Sequence, residues 1–333
     1  MKRVAAAIGI AVAVVLLVVL WAAAALSPPP KATGKALVRI WQAASAQQVA
    51  RVLKRKGIIR NQRLFTLVSR ARGLDRKFKS GWHLLPRDLS ALKVMEGLAQ
   101  DKFRAPAIGV TVPEGLTIKE QAQVFEKAGL CPAAKLVEWA GKPSAFAGAV
   151  KFPLPPDSLE GYLFPDTYLF DRGTSPEEMT ETMLRTFESK VHRPLAEAIA
   201  AAPLGLHGSV ILASLVEAEA KAPGERPTIA GVYVNRLRMG MRLECDATVQ
   251  YALGARKPRL LYSDLRVASP YNTYLHPGLP PGPICNPGRA SIEAALRPAA
   301  VPYLYYVARG DGTHVFSRTF GEHQRAIRAL RGQ

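Results

Sequence analysis

A carboxylate rarely sits in an apolar helix without a partner or a task, and this chain places two there. In ILASLVEAEAKAPGERPTIAGVYVNRLRMGMRLECD, Ile211 to Asp246, Glu217 and Glu219 close an apolar run, and Glu225, Glu244 and Asp246 follow. Near a helix C-terminus the macrodipole disfavours negative charge, and apolar surroundings do the same. Both favour a protonated carboxyl, which a general acid requires. On a helical wheel Ile211, Leu212, Leu215 and Val216 define the apolar face, and Glu219 falls within it. Glu217 lies opposite, with Val210, Ala213 and Ser214, on a face of small residues where a substrate backbone could approach. Periodicity therefore names Glu219 the buried acid and leaves Glu217 in a shallow groove. A solvated helix end carrying ordinary surface glutamates fits the same spacing.

Composition narrows the chemistry. Cys131, Cys245 and Cys285 stand far apart with no CxxC spacing, so they form neither a metal knuckle nor a disulfide framework, and the odd count leaves a thiol free. The six histidines include no HxxxH or HxH pair, which argues against a zinc hydrolase. No metal or cofactor is expected. A formal charge of +19 in 333 residues predicts an anionic partner: nucleic acid, a phospholipid surface or an acidic cell-wall polymer.

The N-terminus bears on that choice. Lys2 and Arg3 precede Val4–Leu26, an uncharged, proline-free stretch that as a helix spans about 34 Å, enough for a bilayer core. A secretory signal has a shorter apolar region, so an uncleaved anchor is expected, with a signal as the alternative because Ala22–Leu26 resembles a cleavage region. As an anchor, residues 1–3 form a cytoplasmic tip, 4–26 the membrane span and 27–35 a linker stiffened by Pro28-Pro29-Pro30. The rest then lies outside the cytoplasm, where nucleic acid is no partner.

Two domains follow, 36–105 and 106–333. In the first, a strand is expected at Leu37–Trp41, helices at Ser45–Ile59, Arg63–Gly73 and Leu89–Leu98, and a strand at 81–85, with Ser45 as N-cap and Gly57 as helix stop. Residues 35–104 carry 17 basic and four acidic side chains, most of the excess charge. In the second, a strand is expected at Ile108–Gly115 and helices at Ile118–Ala128, Pro176–Lys190, Ser209–Ala222 and Thr228–Arg238. YLYYVAR and THVFS flank Gly310-Asp311-Gly312 as a hairpin. Strands and helices do not alternate regularly, so the class is α+β.

Five ordered blocks carry a resemblance. SLEGYLFPDTY, ASLVEAEA, GERPTIAGVYVNRLRMGMRLECDATVQYALG, SPYNTYLHPGLPPGPICNPGRASIEAAL and PYLYYVARGDGTHVFS are similar to the YceG family, the membrane-anchored endolytic murein transglycosylases. The first domain resembles the family's LysM-like module, associated with glycan strands. The resemblance implies lytic cleavage of the bond between N-acetylmuramic acid and N-acetylglucosamine within peptidoglycan strands, giving 1,6-anhydro ends and terminating nascent strands. Peptidoglycan synthases are the implied protein partners. The catalytic glutamate falls on Glu217, the first acid of the family's usual E-K-E-T, here Glu217-Ala218-Glu219-Ala220. Cys245-Asp246-Ala247 replaces a run that usually ends in Pro. An intramolecular 6-hydroxyl as nucleophile removes the need for a second carboxylate to activate water.

Weaker assignments attach to other positions. Glu219 is a structural partner for Arg236 or Arg238, or a modulator of Glu217. Tyr271, Asn272, Thr273 and Tyr274 offer amide, hydroxyl and aromatic groups for a sugar, or a hydrogen-bonded turn. Glu160, Asp166 and Asp246 line the groove or cap turns. Arg236 meets a peptide-stem carboxylate, or pairs with Glu225 or Asp246. A non-catalytic, membrane-anchored peptidoglycan-binding scaffold is the alternative to the enzyme, and Glu217 is what separates them.

Overall fold

The computed structural model describes residues 2–30 and 32–331. Met1 of the expected cytoplasmic tip, Lys31 of the linker and residues 332–333 lie outside them. The chain divides into two compact units, residues 1–108 with 171–173, and residues 109–170 with 174–333.

The first unit begins with helix α1 (Lys2–Leu26), whose Ile8–Leu26 stretch is long and apolar enough to cross a membrane. Strands β1 (Lys35–Ile40) and β2 (Gly81–Pro86) pair antiparallel, with Val38 opposite His83 and Ile40 opposite Gly81. Three helices complete the unit: α2 (Ala46–Arg55), α3 (Gln62–Ala71) and α4 (Ala91–Ala99). Ser45 caps α2 in a full capping box, its hydroxyl accepting from the Gln48 N–H while the Gln48 side chain accepts from the Ser45 N–H. Gly57, in the left-handed region at φ +68°, turns the chain after α2. Val38, Ile40, Val49, Leu53, Phe65, Met95 and Leu98 form one apolar core under the sheet.

The second unit is mostly helical. Strands β3 (Ile108–Thr111) and β4 (Thr167–Phe170) pair as one small sheet. The expected strand to Gly115 stops at Thr111, because Pro113 has no N–H to donate and the chain turns at Gly115. Helices α5 (Ile118–Lys127), α6 (Ala133–Ala140), α7 (Pro176–Phe187) and α8 (Ala196–Ala201) follow. Ser175 caps α7 with Pro176 in its first turn, as expected. The α-helical part ends at Phe187 instead of Lys190 and continues as a π-turn, Glu188–His192, ahead of Pro194.

Helix α9 (Gly205–Glu219) runs through the interior, with every residue from Ser209 to Val216 buried. It starts four residues earlier and ends three earlier than its periodicity suggested. Helices α10 (Arg226–Arg238), α11 (Asp246–Leu253) and α12 (Arg289–Leu296) pack against it. The hairpin forms from β5 (Tyr305–Ala308) and β6 (His314–Ser317), antiparallel with Tyr305 opposite Ser317, and α13 (Phe320–Arg331) packs on it. Among the described residues, three two-stranded sheets with many helices make a mixed α+β fold.

Leu53 is fully buried in the first unit's core, whereas Leu67 on α3 is 66% exposed. Leu53→Ala is expected to destabilise the protein by about 2–5 kcal/mol, and Leu67→Ala to leave stability within about 0.5 kcal/mol. Chemical denaturation followed by circular dichroism checks both.

Candidate active site

Three segments converge at the C-terminal end of α9, and hydrogen bonds fix how they meet. Ser214, one turn before Glu217, accepts from the Ile284 N–H (3.0 Å) and donates to the Ile211 carbonyl (2.7 Å). Two residues further on, the fully buried Asn286 satisfies its whole amide. Its Oδ1 accepts from the Gly161 and Leu163 N–H groups at 2.9 and 3.0 Å. Its Nδ2 donates to the Leu116 carbonyl (3.0 Å) and to Glu160 Oε1 (2.8 Å). The backbones of Asn286 and Leu116 bridge, and the Gly115 N–H donates to the Asn286 carbonyl (2.9 Å). Asn286 thereby ties the 114–118 turn, the SLEGYLFPDTY loop and the approach to α12 together beside α9.

That arrangement delivers the start of α12 to Glu217. The Gly288 N–H donates to Glu217 Oε2 at 3.1 Å and the Ser291 hydroxyl to the same oxygen at 2.6 Å. Arg226 Nη2 stands 3.7 Å from Glu217 Oε1, and its Nε donates to Ser291 Oγ at 3.0 Å. The Glu217 side chain is only 8% exposed. It is therefore enclosed, not lodged in a shallow groove. The N-terminus of α12 offers positive partial charge where the C-terminus of α9 offers negative, so the carboxylate has a favourable end to face.

Glu114 reaches the same place from the 114–118 turn. Its carboxyl lies so close to Gly288 that a Cβ there would stand 2.0 Å from it. The following Gly115, at φ +74°, makes the turn that brings Glu114 round, and its own Cα faces the Glu217 side chain. Burial and the charge of Glu217 push Glu114 upward in pKa, with Arg226 pulling the other way.

Glu219 points elsewhere, because two residues on a helix are about 200° apart. It accepts a hydrogen bond from the Cys245 thiol (3.3 Å), and burial pushes its pKa up. A cavity of about 250 Å³ is lined by Glu219, Arg236, Glu244, Asp246, Tyr274 and Tyr306. Four of the sequence-derived binding residues thus share one cavity, on a different side of α9 from the Glu217 carboxyl. Arg236 does not pair with Glu219, Glu225 or Asp246. It binds Glu244 (3.1 Å) and the carbonyls of Arg242, Leu243 and Leu304, because the end of α10 faces the 242–244 loop and β5. Glu225 instead takes His314 at 2.7 Å, and Asp246 accepts from the Tyr274 hydroxyl at 2.6 Å. All three cysteines are free and buried.

The remaining assignments fall on turns and packing. Asn272 donates to the carbonyls of Leu265 and Val267, and the Thr273 hydroxyl accepts from the Cys245 N–H, so both brace loops. Asp166 pairs with Lys190 and accepts from the Thr167 N–H. Tyr271 packs on Tyr251, ring centroids 4.8 Å apart, over Glu160. Glu160 is buried and its pKa is pushed up to about 8: burial dominates and Glu120 adds to it, against hydrogen bonds from the Ile118 N–H, Tyr251 and Asn286. Sequence reasoning missed Glu114, Arg226, Gly288 and Ser291. Each lies in a segment whose pattern was noted, but nothing in spacing linked the segments to one another.

Two outcomes follow from the Asn286 hub. Asn286→Ala strips partners from Glu160, two N–H groups and a carbonyl, and is expected to cost at least about 3 kcal/mol, measured by denaturant unfolding. Glu160 holds a proton in the folded chain up to about pH 8 that the unfolded chain releases near 4.5, so its contribution to stability falls as pH rises across that window. Wild-type stability should therefore decline more steeply between those pH values than that of Glu160→Gln, by up to about 1.4 kcal/mol per pH unit. Equal slopes would contradict this assignment.

Comparison with known proteins places the chain. A model described as the YceG-like family matches residues 38–329. The endolytic murein transglycosylase of Bacillus subtilis is 32% identical over 302 residues, covering 87% of this chain and 83% of that protein. The endolytic murein transglycosylase of Streptococcus pneumoniae strain D39 is 26% identical over 317 residues, and the match covers 57% of its length. The crystal structure of a yceG-like protein from Listeria monocytogenes is 31% identical with a TM-score of 0.60, covering 88% of this chain and 99% of that one. With the matched residues spanning both units and every element of the Glu217 site, this chain belongs to the YceG-like family.

Proposed function

We propose that this protein is an endolytic murein transglycosylase that cleaves the bond between N-acetylmuramic acid and N-acetylglucosamine within peptidoglycan strands, with Glu217 as its acid and base. The observation that carries the reading is the enclosed Glu217 carboxyl, met by the Gly288 N–H, the Ser291 hydroxyl and Arg226. A protonated Glu217 gives its proton to the glycosidic oxygen as the bond to the muramic acid anomeric carbon breaks. The resulting carboxylate is stabilised by the donors at the start of α12. It then takes the proton from the 6-hydroxyl as that oxygen closes on the anomeric carbon. One bond breaks, one forms, the proton is returned to Glu217, and a 1,6-anhydro end results without consumption of water. These ends terminate the strand.

The setting follows from the rest of the chain. α1 anchors the protein in the membrane with the two basic residues on the cytoplasmic side and the chain after α1 outside. The first unit acts as a LysM-like glycan-binding module, and its basic surface suits the carboxylates of peptide stems. Glu219, Arg236, Asp246 and Tyr274 serve a neighbouring stretch of the substrate. Peptidoglycan synthases, which make the strands to be cut, are the protein partners.

Digestion of isolated peptidoglycan by the full-length protein in detergent tests the reading. Wild type is expected to release anhydro-ended fragments, detected by mass spectrometry. Glu217→Gln should lower the rate at least about a hundredfold, with Glu219→Gln retaining the larger share of activity. Binding without cleavage by wild type would instead make the protein a scaffold.

A further inference from the structure

The carboxyls of Glu217 and Glu114 share one neighbour. Glu217 accepts from the Gly288 N–H, and the Glu114 carboxyl lies against the Gly288 Cα, where a Cβ would displace it. The two differ in exposure. Glu217 is enclosed, while Glu114 keeps an exposed side although part of its carboxyl packs against Gly288. Arg226, from α10, lies in the field of both, 3.7 Å from one oxygen of Glu217. Among the described residues, the buried Cys285 thiol, from the segment before α12, also feels the charge of Glu217.

This geometry raises a difficulty for a lone acid. Two hydrogen-bond donors and a guanidinium face the Glu217 carboxyl, and the first step needs a proton on it. Two carboxyls beside one guanidinium resolve it. With both ionised, the site carries one uncompensated negative charge in a partly enclosed space. With one proton on the pair, it is neutral. Like charges facing one another favour the neutral arrangement. The upward push on Glu114 from burial and from Glu217 agrees with this.

We propose that Glu114 is a positioning residue for the reaction: its carboxyl, set against Gly288 beside Glu217, offsets Arg226 and so keeps a proton available to Glu217 between turnovers. The inference rests on the Glu217 reading above. It leaves the chemical steps unchanged. The proton leaves Glu217 for the glycosidic oxygen and returns from the 6-hydroxyl, and Glu114 sets the fraction of enzyme that begins in the competent form.

The test is the pH dependence of kcat/KM for anhydro-end formation on isolated glycan strands, from about pH 4.5 to 9, using the full-length protein. Replacing Glu114 by neutral Gln leaves Arg226 unopposed, so the alkaline limb should move acidward by about one pH unit. That corresponds to about tenfold lower activity on the alkaline side and less than about twofold loss at pH 5. Glu114→Asp, which keeps the charge, should recover most of the shift. Gly288→Ala, whose methyl group would displace the Glu114 carboxyl, should move the limb in the same direction with both acids present. An alkaline limb unmoved in Glu114→Gln, whether overall activity is preserved or uniformly lowered, overturns the inference and leaves the Glu217 reading standing. Absence of anhydro ends from wild type overturns both.

Discussion

The site depends on one buried amide. Asn286 spends every hydrogen bond it can make, and each goes to a different part of the surrounding backbone or to Glu160. Its position just before α12 is what matters. The segment is bonded to α9 through Ser214 and Ile284 and to the 114–118 turn through Asn286, so Gly288 has little choice about where it lies. Residues more than 170 positions apart in sequence then share one small volume. A fully satisfied buried network of this kind specifies a single arrangement, and a partly satisfied one is costly. Rigid support for an acid that must be aimed at one oxygen is what such a network supplies.

The electrostatics of Glu217 come from two helix ends with opposite effects. It sits at the C-terminal end of α9, where negative charge is disfavoured, and faces the N-terminal end of α12, where it is favoured. An acid that must hold a proton in one step and carry charge in the next is suited by such a balance. Arg226 and Glu114 extend the same opposition with full charges. Glu219, the last residue of α9, meets the Cys245 thiol and the Tyr306 hydroxyl in place of the start of a second helix. Neighbouring positions on one helix thus place identical side chains in unlike surroundings.

Much of the fold was legible in the sequence because its signals are local. Ser45 and Ser175 cap their helices, Gly57 turns the chain after α2, and the Asp-Gly hairpin forms. The apolar N-terminal helix and the α+β mixture are equally local. Glu217 was reached through the order of the motif blocks, not through periodicity. Periodicity named Glu219 the buried acid, and burial does push its pKa up; it misplaced Glu217, because α9 is buried from Ser209 to Val216 and its wheel there has no solvent face from which to read orientation. Partners were the least legible. Arg236 could not be matched to Glu244, nor Glu225 to His314, because those pairings depend on loops that spacing does not describe. Glu114 and Ser291 were invisible for the same reason, since only Asn286 and the turn at Gly115 bring them to Glu217.

The central claim is that Glu217 moves a proton between two oxygens of the same substrate and that water takes no part. Digestion in oxygen-18 water, with the new chain ends analysed by mass spectrometry, examines this directly. The account predicts ends that lack one water relative to reducing ends and carry no heavy oxygen. Reducing ends labelled with oxygen-18 would contradict it, because the anomeric carbon would then have been captured by solvent.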